Sequence, residues 1–311
     1  MSTFWVYPGQ GAQQPDMLHR LPDAPIIREC LREASDALNE DVMRLDSAEA
    51  LQSTRAVQLC LLIAGVACSR LLMAQDSKPD YVGGLSIGAY PAAVIAGSLA
   101  FADALRLVAL RGELMQSAYP QGFGMTALIG LEQTLVEGLI AQIHGAETPV
   151  YLANINADNQ FVIAGSDAAM AQVAALAKAH GAATARRLAV SVPSHCELLA
   201  EPASRLAAAF SAVTVQTPSI RYLSGTTARL VPSADKLRDD LAFNMCRVID
   251  WRSTVQTAYE RGVRLQIELP PGTVLTGLAR RVFEQGSAVA FQGARLDTLS
   301  ALSQEEERRN P

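Results

Sequence analysis

A short apolar run, Tyr81–Gly84, empties into Gly84-Leu85-Ser86-Ile87-Gly88 and then at once into a helix-forming stretch. A strand that becomes a helix within a few residues has few homes. Its backbone must turn so tightly that glycines flank the apex, and the next parallel strand is reached only through a helical crossover. Units of this kind build a mostly parallel sheet with helices on both faces. The rest of the chain repeats the order. Residues 3–7 form an aromatic and β-branched run that ends in Pro8-Gly9-Gln10-Gly11, a strand followed by a Gly-rich turn. Residues 26–38 and 54–73 have helical periodicity, the second nearly all apolar and so a buried helix. Helices are also expected over 91–96 and 102–117, parted by Gly97-Ser98.

Residues 122–189 carry a different pattern. Strand-like segments at 125–131, 150–155, 160–164 and 184–190 enclose helix-like segments at 132–144 and 167–180, the latter capped by Ser166 and stopped by Gly181. The order βαββαβ is that of a ferredoxin-like split unit. The expected fold class is therefore α/β. A large domain, 1–121 and 190–311, holds the mostly parallel sheet and is interrupted by a small ferredoxin-like domain, 122–189. Beyond Pro193 the pattern predicts helices over 196–210, 237–246, 253–261 and 274–282, with strands over 220–224 and 263–269. The charged tail, 303–311, reads as a solvated, fraying end.

Composition narrows the chemistry. Half of the 311 residues are hydrophobic and 18% are charged, enough for a sizeable core. The strongest apolar run, 59–67, is far below the roughly 18 residues of a membrane span, and Ser69-Arg70 closes it. The opening MSTFWVYPGQG has no basic segment before an apolar one, so no export signal is expected. Five cysteines without C-x-x-C spacing read as reduced thiols, which points to the cytoplasm. A net charge of −5 argues against nucleic acid, leaving Arg186-Arg187 and Arg280-Arg281 as local basic pairs suited to an acidic partner. No ligand spacing for a metal is present, and none is expected.

Gly84-Leu85-Ser86-Ile87-Gly88 fits G-x-S-x-G, the turn that presents a nucleophilic serine. A serine needs a base, and the chain has four histidines. His19 lies in a polar loop, while His144 and His180 end helices. His195 follows an apolar strand-like run, 188–192, and so falls at a strand end, where open α/β sheets gather ligand sites. An oxyanion needs fixed N–H donors. Ile87 starts the helix after the elbow and has a free N–H; the turn Gly9-Gln10-Gly11 supplies a second donor or simply reverses the chain. Arg111 reads either as a surface arginine whose stem packs along its helix, or as a fixed guanidinium for a substrate carboxylate.

Six ordered stretches, taken together, resemble one family over nearly the whole chain. They are Pro8-Gly9-Gln10-Gly11-Ala12-Gln13, the Ser86 pentapeptide, Phe101-Ala102-Asp103-Ala104 running on to Leu110-Arg111-Gly112, Asn154-Ile155-Asn156 with Val162-Ile163-Ala164-Gly165, Val190-Ser191-Val192-Pro193-Ser194-His195, and Pro271-Gly272-Thr273-Val274-Leu275-Thr276-Gly277-Leu278. The chain resembles malonyl-CoA:acyl carrier protein transacylases. The resemblance implies a hydrolase-like large domain, Ser86 as nucleophile and His195 as base in a Ser-His dyad whose imidazole is oriented by backbone carbonyls. It implies an oxyanion hole from the N–H groups of Gln10 and Ile87, with Arg111 on the malonyl carboxylate. Gln58, Leu85, Asn154, Asn156 and Asp250 are expected along the site, Asp250 as a structural position rather than a triad acid. No cofactor is implied on the chain itself. Malonyl-CoA and the pantetheine-type arm of an acyl carrier protein are the substrates.

Family members usually have histidine where this chain has Leu85, and Gln-Pro where it has Gln58-Leu59. With Gly-Leu-Ser-Ile-Gly-Ala-Tyr, the chain is most similar to the ε subunit of malonate decarboxylase, which implies that enzyme's carrier and other subunits as partners. A transacylase of fatty-acid synthesis is the alternative. A serine thioesterase or esterase places its histidine late, and here none follows His195. A non-catalytic carrier-binding subunit would have no use for serine, histidine and arginine together.

Overall fold

The fold is described for residues 2–308 by a computed structural model. Its strands are β1 (Ser2–Tyr7), β2 (Tyr81–Gly84), β3 (Phe123–Ile129), β4 (Val150–Ala157), β5 (Gln160–Ser166), β6 (Thr184–Arg187), β7 (Arg221–Leu223), β8 (Ile249–Asp250), β9 (Val263–Glu268) and β10 (Ser287–Ala290). Its helices are α1 (Pro25–Leu38), α2 (Thr54–Met73), α3 (Ala89–Ile95), α4 (Phe101–Ala118), α5 (Gln133–Ile143), α6 (Asp167–Ala179), α7 (Ala200–Ala209), α8 (Ala234–Phe243), α9 (Trp251–Glu260), α10 (Val274–Ala279) and α11 (Leu296–Arg308).

The first sheet has the order β10-β9-β1-β2-β7, and every pair in it is parallel. Tyr7 pairs with Gly84, and Val6 with Glu268, so β1, β2 and β9 end on one edge. That carboxyl edge is where open α/β sheets bind ligands. The sheet is buried on both faces. Trp5 and Tyr7 point into one apolar cluster, Phe4 and Val6 into another. Helix α2 is apolar on all sides, so it lies in the first cluster rather than on the surface. It is the one helix among the described residues with the length and apolarity of a membrane span, and 89% of that stretch is buried inside the protein. Ser53 caps its start by accepting from the Ala56 N–H. The Tyr7 hydroxyl donates to Ser69 Oγ at 2.8 Å, and Ser69 passes its own proton to Gly65 O at 2.7 Å, tying β1 to α2.

The second sheet has the order β6-β3-β5-β4-β8. Its first four strands pair antiparallel in the ferredoxin-like arrangement, with α5 and α6 on one face around Leu128, Val136, Phe161 and Val173. The other face meets the first sheet's carboxyl edge. Register matters here. Leu152 pairs with Ile163, but the next partner of Val162 is Asn154, so one extra residue bulges at Ala153. A bulge reverses which face the following side chains take. It sends Asn154 and Asn156 to the cleft and leaves Ile155 in the helix-covered core. The fifth strand, β8, belongs to a later part of the chain and runs parallel to β4.

Three expectations need correction. The strand expected over 184–190 stops at Arg187, and 188–192 is not a strand. The guanidinium of Arg187 donates to the carbonyls of Leu188 (2.8 Å), Val190 (2.7 Å), Met125 (3.1 Å) and Phe123 (2.7 Å), and binds Asp167, so the chain wraps around it and leaves the sheet. Arg187 is thereby a structural latch rather than a free basic group. Second, the helix expected from 196 begins only at Ala200, after a short 3₁₀ turn at Glu197–Leu199. Third, residues of the expected fraying tail lie in α11, whose Leu299, Ser303 and Glu306 fall on one buried face at helical spacing. Residues 309–311 of that tail lie outside the described residues.

Candidate active site

Ser86 follows β2 with a φ of 58°, a left-handed conformation that a non-glycine residue rarely adopts. The turn is held by its neighbours. A Cβ on Gly84 would lie 1.9 Å from Gly88 C, and one on Gly88 would lie 2.2 Å from Tyr7 O, so neither position admits a side chain. The Leu85 N–H donates to Tyr7 O at 3.0 Å, and the Gly88 N–H donates to Leu85 O at 3.0 Å. Strain of roughly 1–3 kcal/mol at such a residue persists only when its surroundings fix it, and here they do. Leu85 itself packs over the first Gly-rich turn: a Cβ on Gly9 would come within 2.7 Å of Leu85 Cδ2. The two turns are therefore fitted to each other by direct contact. Gln10 and Ile87 lie one on each, and among the described residues no protein acceptor takes either backbone N–H.

His195 lies beyond the wrapped segment 188–192, in irregular backbone with a φ of 65° rather than at a strand end. Its N–H donates to Met245 O at 2.7 Å, and its Nδ1 is 2.8 Å from Asn244 O. A carbonyl accepts only, so Nδ1 carries the proton and Nε2 is left with a free lone pair. Burial, with Arg111 as a nearby positive charge, pushes the imidazole down to about 4, although the Asn244 carbonyl opposes the shift. His195 is therefore neutral at neutral pH.

Arg111 is on α4 and is fully buried, which overturns the reading of a surface arginine. Its Nη1 donates to Gln58 Oε1 at 2.8 Å, and its Nη2 donates to Asn244 Oδ1 at 2.9 Å and to Ser86 Oγ at 3.2 Å. The guanidinium carbon is 5.8 Å from the Tyr90 ring centroid. Nε has no hydrogen-bond partner, and among the described residues no carboxylate forms an ion pair with this group. Burial lowers its pKa, but an arginine starts so high that it stays charged. It is a desolvated cation held only by neutral groups.

A cavity of about 370 Å³ lies between the two sheets. Ser86, His195, Gln10 and Ile87 line one side; Gln58 and Leu85 lie beside them, and Asn154 and Asn156 face them from the second sheet. The side-chain oxygens of Asn154 and Asn156 are buried without a partner. Asp250 does not line the cavity. Its carboxylate accepts from the Ser253 N–H at 3.0 Å and caps α9. Asn244 was not among the residues expected from sequence. Its one signal there is a carboxamide set within the apolar run Leu241-Ala242-Phe243-Asn244-Met245.

Fold and site together are those of an acyl transferase. The acyl transferase domain family matches residues 4–306. The malonyl CoA-acyl carrier protein transacylase of Haemophilus influenzae is 39% identical over 292 residues, 92% of this chain and 93% of that one; its Escherichia coli K12 counterpart is 37% identical over 293 residues, 92% and 94%. The crystal structure of FabD from Acinetobacter baumannii superposes with a TM-score of 0.93 at 36% identity, covering 98% of this chain and 99% of that one. A malonyl-transacylase solved in complex with its type II PKS acyl-carrier protein gives 0.91 at 34% identity, covering 100% of both chains. The chain belongs to the malonyl-CoA:acyl carrier protein transacylase family.

Proposed function

We propose that this protein moves a malonyl group from malonyl-CoA to the thiol of an acyl carrier protein through a malonyl ester on Ser86. The observation that carries the reading is the buried Arg111, a cation 3.2 Å from Ser86 Oγ that pairs with no carboxylate among the described residues. A bidentate carboxylate matches a guanidinium, and an acyl group lacking one leaves this cation unpaired.

In the first half-reaction Ser86 Oγ attacks the thioester carbonyl carbon while His195 Nε2 takes the hydroxyl proton. The oxyanion is received by the N–H groups of Gln10 and Ile87, each worth about 3 kcal/mol by analogy with other oxyanion donors. The C–S bond breaks, and His195 returns the proton to the CoA sulfur. In the second half the carrier's thiol gives its proton to His195 and attacks the malonyl ester, and Ser86 leaves with the proton. The unpartnered amide oxygens of Asn154 and Asn156 suit the N–H groups of the pantetheine arm that both substrates share. Nothing in this cycle requires a cofactor on the chain. Five cysteines without disulfide partners, and a CoA substrate, support a cytoplasmic location.

Intact-protein mass spectrometry after mixing with malonyl-CoA tests the reading. A malonyl adduct should form on Ser86 and be discharged faster by a carrier thiol than by water. An adduct that persists in Ser86→Ala would sink it. We propose further that the carrier is that of a malonate decarboxylase, on the resemblance carried by Gly-Leu-Ser-Ile-Gly-Ala-Tyr. Transfer rates to that carrier and to a fatty-acid-synthesis carrier, measured side by side, decide; faster charging of the second overturns the assignment.

A further inference from the structure

Asn244 touches Arg111, Ser86 and His195. Its Oδ1 accepts from Arg111 Nη2 at 2.9 Å, its Nδ2 donates to Ser86 O at 3.2 Å, and its own carbonyl accepts from His195 Nδ1 at 2.8 Å. The guanidinium offers only donors, which fixes the amide oxygen toward Arg111 and the amide nitrogen toward the Ser86 carbonyl. The residue is itself anchored. It ends α8, which is held to β7 by Asp240 and to α3 by the Tyr90 hydroxyl on Leu241 O at 2.8 Å.

We propose that Asn244 is a specificity-determining positioning residue: its carboxamide aims Arg111 at the acyl group without cancelling the guanidinium's charge. Few side chains can do both. An aliphatic residue would leave Nη2 without its buried acceptor. An aspartate would hold Nη2 more strongly, but it would occupy the cation with a resident anion and turn a second oxygen toward the Ser86 carbonyl. A carboxamide satisfies the donor with a dipole and leaves the charge for the ligand. Gln58 does the same at Nη1, so the pair forms a neutral clamp. The inference rests on the reading that Arg111 receives the malonyl carboxylate.

The test uses the full-length protein with malonyl-CoA and acetyl-CoA, following acylation of Ser86 for each. In Asn244→Asp, the ratio of kcat/KM for malonyl to that for acetyl should fall about tenfold or more, with the malonyl loss chiefly in KM. A merely structural defect would lower both acyl groups alike. Gln58→Glu should collapse the malonyl-to-acetyl ratio in the same way, and it carries the test if Asn244→Asp melts early. Asn244→Ala keeps the backbone carbonyl on His195, so its acid limb should stay at the wild-type pH while both rates fall. An unchanged ratio in Asn244→Asp and Gln58→Glu, with Arg111→Ala losing malonyl preference, overturns the clamp and leaves the functional reading standing. Unchanged malonyl preference in Arg111→Ala overturns both.

Discussion

Arg111 and Asp240 are both charged groups taken out of water, and the fold treats them in opposite ways. Asp240 accepts from the hydroxyls of Tyr222 (2.9 Å), Ser224 (2.6 Å) and Thr226 (2.9 Å). Glu268, at the end of β9, is treated likewise, with the N–H groups of Leu275 and Thr276 and the Thr276 hydroxyl on its oxygens. Each carboxylate is closed in by donors. Arg111 keeps an unpartnered Nε and is held by Gln58, Ser86 and Asn244, with no counter-charge among the described residues. A buried charge is costly unless it is paired or fully hydrogen-bonded. A charge that serves the fold is therefore capped on each side; on the proposed reading, the one left open is kept for a ligand.

Substitutions can break this contrast. The largest effect is expected for Arg111→Met, where malonyl acylation should fall by about 10³-fold. Its melting temperature should hold or rise, because an uncompensated buried cation has been removed; calorimetry beside the acylation assay checks both. Asp240→Ala should do the reverse. It leaves three hydroxyls without their acceptor and should cost about 3 kcal/mol in chemical denaturation, with a far smaller loss of malonyl acylation than in Arg111→Met. If both variants lose stability equally and keep selectivity, the contrast is void.

His195 gives a smaller, pH-dependent test. Its folded pKa of about 4 is below the ordinary 6.5, so the folded state refuses a proton that the unfolded chain accepts between those values. Acylation should persist below pH 6.5 and fail only on approach to 4. Stability should decline over the same window as pH drops, and His195→Gln should flatten that slope in urea titrations. An acid limb centred at 6.5 would contradict the burial argument.

Much of the frame was legible because its signals are local. The span of α2 follows from its apolar helical periodicity, that of β2 from the short apolar run ending at Gly84, and the order βαββαβ from alternating periodicity. The glycines of the Ser86 turn announce the elbow, although the reason for Gly88 is Tyr7 O, on a neighbouring strand. What escaped was non-local. Residues 188–192 alternate like a strand, and only the many-bonded Arg187 pulls them away. Arg111 could not be sorted between surface and site, since its partners Gln58 and Asn244 are 53 and 133 residues distant. Asn244 was missed for the same reason. Helix α11 hides its buried face behind serine and glutamate, which periodicity scores as polar.

The borrowed strand β8 limits how the protein can be taken apart. Because residues 249–250 complete a sheet otherwise made from Phe123–Arg187, a fragment cut at 122 and 189 would keep β5 beside β4 but lose β8 from its other edge. Its backbone donors and acceptors, and the apolar face now turned to the cleft, would then be open to a second copy. Such a piece should self-associate through that edge, so an inserted unit that looks separable in the chain order is bound to its host in space.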